Sequence, residues 1–158
     1  MTMMNTTQMA PTGGVAGLYF RVLQLADRVP LSLVQLISRL AVAQVFWQSS
    51  QSKLASWPVT TQLFAMEYRL PFIDPGIAAV MATAAELTGA ILILLGAASR
   101  LAALMLLGVI ATIQTFVYPE NWPDHLLWTA PLLLILFRGP GAISLDHLAA
   151  TYFIKKGL

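Results

Sequence analysis

Gly76-Ile-Ala-Ala-Val-Met-Ala-Thr-Ala-Ala-Glu86-Leu-Thr-Gly-Ala-Ile-Leu-Ile-Leu-Leu-Gly96 and Leu101-Ala-Ala-Leu-Met-Leu-Leu-Gly-Val-Ile-Ala-Thr-Ile-Gln114-Thr-Phe-Val117 are two long apolar runs. Ala97-Ala-Ser-Arg100 joins them and carries the only positive charge nearby. At a helical rise of about 1.5 Å per residue each run reaches roughly 26–30 Å, enough to cross a hydrocarbon core. The pattern predicts a membrane hairpin. Its first arm holds one ionisable residue, Glu86, near the middle, and its second arm holds none. A carboxylate in lipid is costly, so Glu86 is expected to face protein, water or a counter-charge.

Bulk composition supports a membrane setting. The chain has 158 residues, of which 58% are hydrophobic and only 10% charged, and its mean hydropathy is +0.73. Soluble domains carry about 25% charged residues. The length suits a single domain, and the apolar content suffices for about four spans. A net charge of +2 with scattered basic residues gives no footing for nucleic acid. Cysteine is absent, which excludes dithiol redox chemistry and thiolate metal sites within the chain. The two histidines, His125 and His147, lie 22 residues apart, a poor basis for a metal site. No dinucleotide, phosphate-loop or zinc-protease motif occurs, and no nucleophile–base pair points to catalysis.

Outward from the hairpin, Met1 to Gly14 reads as a disordered, polar cytoplasmic tail. Val15 to Val29 reads as a short amphipathic helix lying on the membrane face and ended by Pro30. Leu31 to Leu54 is the first expected span and is unusually polar. Arg39, Phe46, Ser50 and Lys53 are spaced by 7, 4 and 3 and share one face; Gln44, Gln48 and Gln51 are spaced by 4 and 3 and share another. At least one of these faces should meet protein, and the glutamines suit inter-helix glue or a wet outer surface. Ser56 to Pro75 is a loop with an interfacial helix expected around 60–68, and Asp74-Pro-Gly76 signals a helix start capped by Asp74. The spans after the first are expected at about 76–96, 101–117 and 122–138, the last containing Pro131. Ser144-Leu-Asp146-His opens a terminal amphipathic helix that ends at Lys155-Lys156, and Asp146 reads as its N-terminal charge.

The expected fold is therefore an all-α membrane protein: a four-transmembrane-helix bundle in one domain, 15–158, with short interfacial helices at both termini. Counting Lys and Arg sets the orientation. With both termini inside, inner segments hold six (Arg21, Arg28, Arg100, Arg138, Lys155, Lys156) and outer loops two (Lys53, Arg69).

Rise per residue places Arg39 roughly 12 Å, Glu86 roughly 16 Å and Gln114 roughly 21 Å from the inner boundary. Arg39 and Glu86 near one level suggest a buried pair that fixes helix register, or alternatively a polar pocket for a headgroup, quinone or proton. Glu86 shares its face with Ala79, Ala82, Thr83, Gly89, Ala90 and Ile93, small enough for close helix approach. Gln114 could extend the polar line outward, with Tyr118 and His125 at its mouth. The candidate binding or buried-polar residues are thus Arg39, Gln44, Gln48, Lys53, Glu86, Gln114, Tyr118 and His125, with no catalytic and no metal-ligating residue.

These residues resemble the DoxX-like integral membrane proteins. The resemblance is carried by Arg39-Leu…Phe46…Ser50…Lys53-Leu, by Ala85-Glu86-Leu-Thr-Gly89, by Leu95-Gly96-Ala-Ala-Ser-Arg100-Leu-Ala-Ala and by Arg138-Gly-Pro-Gly-Ala-Ile-Ser-Leu-Asp146. It covers about residues 36–148; one departure is Ser50, where family members often have glycine. It implies a four-helix protein of the bacterial inner membrane and, from one type of member, a subunit associated with thiosulfate:quinone oxidoreductase. The segments Phe46 to Lys53 and Phe116 to Trp128 look like a subgroup that accompanies copper-binding peptide biosynthesis genes, which implies metal stress. Two functions follow as expectations. One is a non-catalytic subunit that binds a quinone or lipid and anchors a redox or metal-handling partner. The other is a small transporter or channel lined by Gln44, Gln48, Gln51 and Gln114, working as a homo-oligomer.

Overall fold

The computed structural model describes residues 14–156, so the expectation for the N-terminal tail falls almost wholly outside the described residues. Among the described residues the chain is helical throughout: α1 (Gly14–Ala26), α2 (Leu31–Ala55), α3 (Trp57–Leu63), a π-helical turn (Phe64–Tyr68), α4 (Pro75–Leu95), α5 (Ser99–Phe116), α6 (Trp122–Arg138) and α7 (Leu145–Lys156). The chain divides into two units, with the break after Leu31. α1 has no buried residue and ends one turn before Pro30.

The second unit is built around α2, α4, α5 and α6. By length and composition α4 and α5 are each able to cross a membrane; α1 and α2 count as a third candidate if taken together as one broken span. Asp74 caps α4, its Oδ1 accepting from the Gly76 and Ile77 amides at 2.9 and 3.1 Å, with Pro75 in the first turn, where its missing N–H costs nothing. Gly96 ends α4 in the left-handed conformation, at φ +67°, a stop that favours glycine.

The helix faces follow residue size. α4 buries Ala79, Thr83, Glu86, Gly89, Ala90 and Ile93. A β-carbon on Gly89 would stand 2.6 Å from the Leu106 side chain of α5, so the glycine is what lets α5 approach. The main core joins Val42, Ala43 and Phe46 of α2 to Ala90 and Ile93, to Leu106 and Ile110 of α5, and to Leu132 and Ile135 of α6. Large side chains on the far faces, such as Ile77, Val80, Leu101, Leu104, Leu127 and Phe137, are exposed, as a lipid-facing surface requires.

α2 joins the bundle through long side chains. Its buried residues include Arg39, Phe46, Ser50 and Lys53, the face expected from the spacing. Phe46 meets Trp128 of α6 edge-on at 6.5 Å. The glutamine face of the same helix is exposed.

Between α2 and α4 the chain forms an irregular wall. α3 starts at Trp57, and Thr60 Oγ1 donates to the Lys53 carbonyl at 2.7 Å, satisfying an acceptor freed at the end of α2. The helix expected around 60–68 is α-helical only to Leu63 and then widens into the π turn. Arg69 and Phe72 follow with φ +42° and +67°. Each left-handed non-glycine residue costs on the order of 1–2 kcal/mol. Phe64 packs with Ala78 and Ala79 in a second small core, flanked by Tyr68, Leu70 and Ile73.

Candidate functional site

The carboxylate in the middle of α4 is paired with Lys53, not with Arg39. Lys53 Nζ lies 2.7 Å from Glu86 Oε2 and 3.0 Å from Oε1, and donates a third bond to Ser49 Oγ at 2.7 Å. Both side chains are buried, at 8% and 2% exposure. The Arg39–Glu86 pair expected from sequence is thereby corrected. Lys53, counted with the outer loops for charge, stands in the last turn of α2.

Arg39 has a different set of partners. Its Nε donates to the Ile93 carbonyl at 2.8 Å and Nη2 to Leu94 at 2.5 Å; Nη1 reaches Pro140 at 3.3 Å and also Ile143. The first two are carbonyls at the end of α4, where intrahelical partners run out and the helix dipole favours a cation. Ile93 is seven residues beyond Glu86, or roughly 10 Å along the helix, which separates the two levels.

Around Arg39 the C-terminal ends of α4 and α6 and the start of α5 are tied together. Gln35 Nε2 donates to the carbonyls of Arg138 at 3.2 Å and Gly139 at 2.9 Å. Asp146 accepts from the Ala98 and Ser99 amides at 2.7 and 2.9 Å. It therefore caps α5 from across the fold, besides standing in the first turn of α7. A β-carbon at Gly96 would meet Ser144 at 2.5 Å and the Arg39 guanidinium at 2.8 Å.

The Lys53–Glu86 pair forms the polar floor of a cavity of about 590 Å³. Its walls are apolar: Phe64, Tyr68 and Phe72 from the irregular segment, Met81 and Ala82 from α4, and Met105, Gly108 and Val109 from α5 among them. Phe72 is fully exposed. Of the residues predicted as a site, Lys53 and Glu86 meet here.

A second polar group lies at the ends of α5 and α6. Gln114 Nε2 donates to the Pro119 carbonyl at 2.6 Å, which turns its Oε1 toward Nδ1 of buried His125. An amide oxygen only accepts, so Nδ1 carries the proton. Tyr118 donates its hydroxyl to Glu67, and its ring packs edge-on against Tyr68 at 5.9 Å. The Tyr118 hydroxyl is pushed up from its ordinary pKa, first by that hydrogen bond and then by burial. Tyr68 is raised by burial and then by the negative charge of Glu86. Glu67 and Tyr68 carry no signal as site residues in the sequence, because a single Glu-Tyr pair in a short interfacial helix sets up no polar period. Gln44 and Gln48 are exposed on α2. Among the described residues no three His, Cys, Asp or Glu side chains gather as a metal site.

A family model, DoxX, matches residues 34–119. The chain belongs to the DoxX family. The match runs from α2 to the end of α5 and so includes both Arg39 and the Lys53–Glu86 pair. This DoxX-family chain has no match among curated proteins or solved structures.

Proposed function

We propose that the chain is a four-span, non-catalytic subunit of the bacterial inner membrane, formed by α2, α4, α5 and α6 with both termini cytoplasmic, that binds a hydrophobic small molecule over the Lys53–Glu86 pair. Outside these four helices, the proposed orientation puts four basic residues on the inner side (Arg21, Arg28, Lys155 and Lys156) and one, Arg69, on the outer. Arg39 sealed near the cytoplasmic end and Glu86 near mid-span suit that orientation.

The observation that carries the binding role is the buried ion pair under an apolar cavity of about 590 Å³. Binding sites for small molecules are concave, mainly apolar and furnished with a few placed polar groups. The polar groups also select a head. All three N–H donors of Lys53 are committed, to Glu86 and Ser49, whereas the Glu86 carboxylate keeps spare lone pairs. The head that fits best donates a hydrogen bond. A quinol, or another hydroxyl-headed lipid, meets that requirement better than the carbonyls of an oxidised quinone. When bound, a quinol would supply two-electron redox capacity to a partner protein of redox or metal-stress function.

Gly108 offers the test, because a β-carbon there meets nothing within 4 Å while the residue lines the cavity. Gly108→Leu should fill the space without disturbing packing. Mass spectrometry of molecules co-extracted with the detergent-purified protein should show a hydroxyl-bearing hydrophobic compound with the parent chain. That compound should be lost from Gly108→Leu at unchanged or higher thermal stability. Identical extracts from both would reject a ligand in this cavity.

A further inference from the structure

The exposed face of α2 carries a second pattern that neither the ion pair nor the cavity uses. Ile37, Ala41, Gln44, Gln48, Gln51 and Ala55 are separated by 4, 3, 4, 3 and 4 residues, and all six are exposed. An uninterrupted 4–3 alternation is the seam of a left-handed helix pair. Gln44 and Trp47 lie beside Ala90 and Leu94 in a groove of about 350 Å³ between α2 and α4. That contact sets Gln44 against the apolar half of α4 and not at a wet boundary. The described residues offer no hydrogen-bond partner to any of the three glutamine amides, although Ser50, Ser52 and Lys53 nearby are all bonded.

Given α2 as a span, three amides facing hydrocarbon would each lose hydrogen bonds that lipid tails cannot return. We infer that this seam docks on the same seam of a second copy, forming a parallel α2–α2 homodimer held by Gln44, Gln48 and Gln51. Self-complementarity selects that occupant. Every glutamine carries both donors and an acceptor, so it can bond its own counterpart. The seam contains no ionisable residue, so a second copy brings no like-charge repulsion. Copies inserted with one topology are parallel, and a two-fold axis along the membrane normal then sets each glutamine at the depth of its twin. Ala41 and Ala55 let the two backbones come close at either end.

The chain contains no cysteine, so one introduced thiol per copy reports the contact directly. Gln44→Cys and Gln48→Cys, oxidised in native membranes, should give a disulfide-linked dimer of the chain, whereas Leu104→Cys on the exposed face of α5 should not. In detergent, Gln44→Leu with Gln48→Leu and Gln51→Leu should weaken the dimer about 20-fold, at roughly 0.6 kcal/mol for each of three lost inter-helix bonds. No dimer at the seam, or equal cross-linking at Leu104→Cys, overturns the inference. Cross-linking of the seam to a different protein also overturns it. Rapid labelling of the seam thiols by a membrane-impermeant maleimide would overturn it as well, and would separately show that α2 is not in the bilayer.

Discussion

Arg39 and Lys53 lie on one face of α2, fourteen residues apart, and both are buried, yet they are satisfied in different ways. Arg39 ends on four backbone carbonyls from two segments of the chain. Those acceptors are fixed by the α4 terminus and the loop after α6, and a planar fork with five donors suits them where an ammonium does not. Lys53 ends on a side chain, Glu86, at the floor of a cavity. One cation closes the end of the fold around Gly96; the other pairs with a carboxylate that lines a cavity. A buried charge is thus no sign of function by itself. What matters is whether its partner has bonding capacity left and space beside it.

The largest expected effect is at the closed end. Arg39→Met should destabilise the protein by about 4 kcal/mol or more, since one buried and three partly buried carbonyls lose their donor at about 1–3 kcal/mol each and only some can relax or find water. Arg39→Lys should recover less than half of the loss. Thermal unfolding in detergent measures both, and a fully stable Arg39→Lys would erase the distinction between the two cations.

At the open end Lys53→Met should cost about 3–5 kcal/mol, because it strands Glu86. Adding Glu86→Leu should return most of it, as a buried pair replaced by apolar groups is often neutral. The double variant should fold and retain no ligand. Strictly additive losses would refute the coupling, and adding Glu86→Leu to Arg39→Met should give no such rescue.

A smaller effect is expected at the cavity wall. Since Tyr118 has a folded-state pKa above its unfolded value, its contribution is fully present below about pH 10, the ordinary tyrosine value. It is lost as pH rises beyond that value toward the higher folded one. Tyr118→Phe should flatten this alkaline decline and raise hydrogen exchange across residues 64–73, leaving the Arg39 end unchanged. Loosening spread evenly over both ends would argue against a wall that moves on its own.

The helices were legible because apolar runs and the Asp74-Pro75-Gly76 start signal act locally, and the 39–46–50–53 face was legible because period fixes azimuth. The partner of Glu86 was not. Period says nothing of reach, and lysine closes a gap along the helix axis that residue counting treats as separation. The acceptors of Arg39 are backbone carbonyls, which no side-chain pattern reveals. The sequence assigns Asp146 to its own helix alone, because its role on α5 depends on a contact 48 residues away in sequence. The cavity wall was the least legible part: Arg69 and Phe72 take left-handed conformations where sequence would ask for glycine.

The bonds of Arg39 also bear on how the chain is made. Its acceptors on Pro140 and Ile143 lie 101 and 104 residues downstream, and the Asp146 cap on α5 arrives later still. In the four-span arrangement proposed above, while α2, α4 and α5 are being inserted the guanidinium can have its α4 carbonyls but not the rest, and the end of the fold around Gly96 stays open. The ribosome must finish α6 and the loop after it before the bundle can lock. On that arrangement assembly is completed from the C-terminal side, and a nascent chain stalled before residue 140 should remain exposed to membrane quality-control proteases even with α2, α4 and α5 in place.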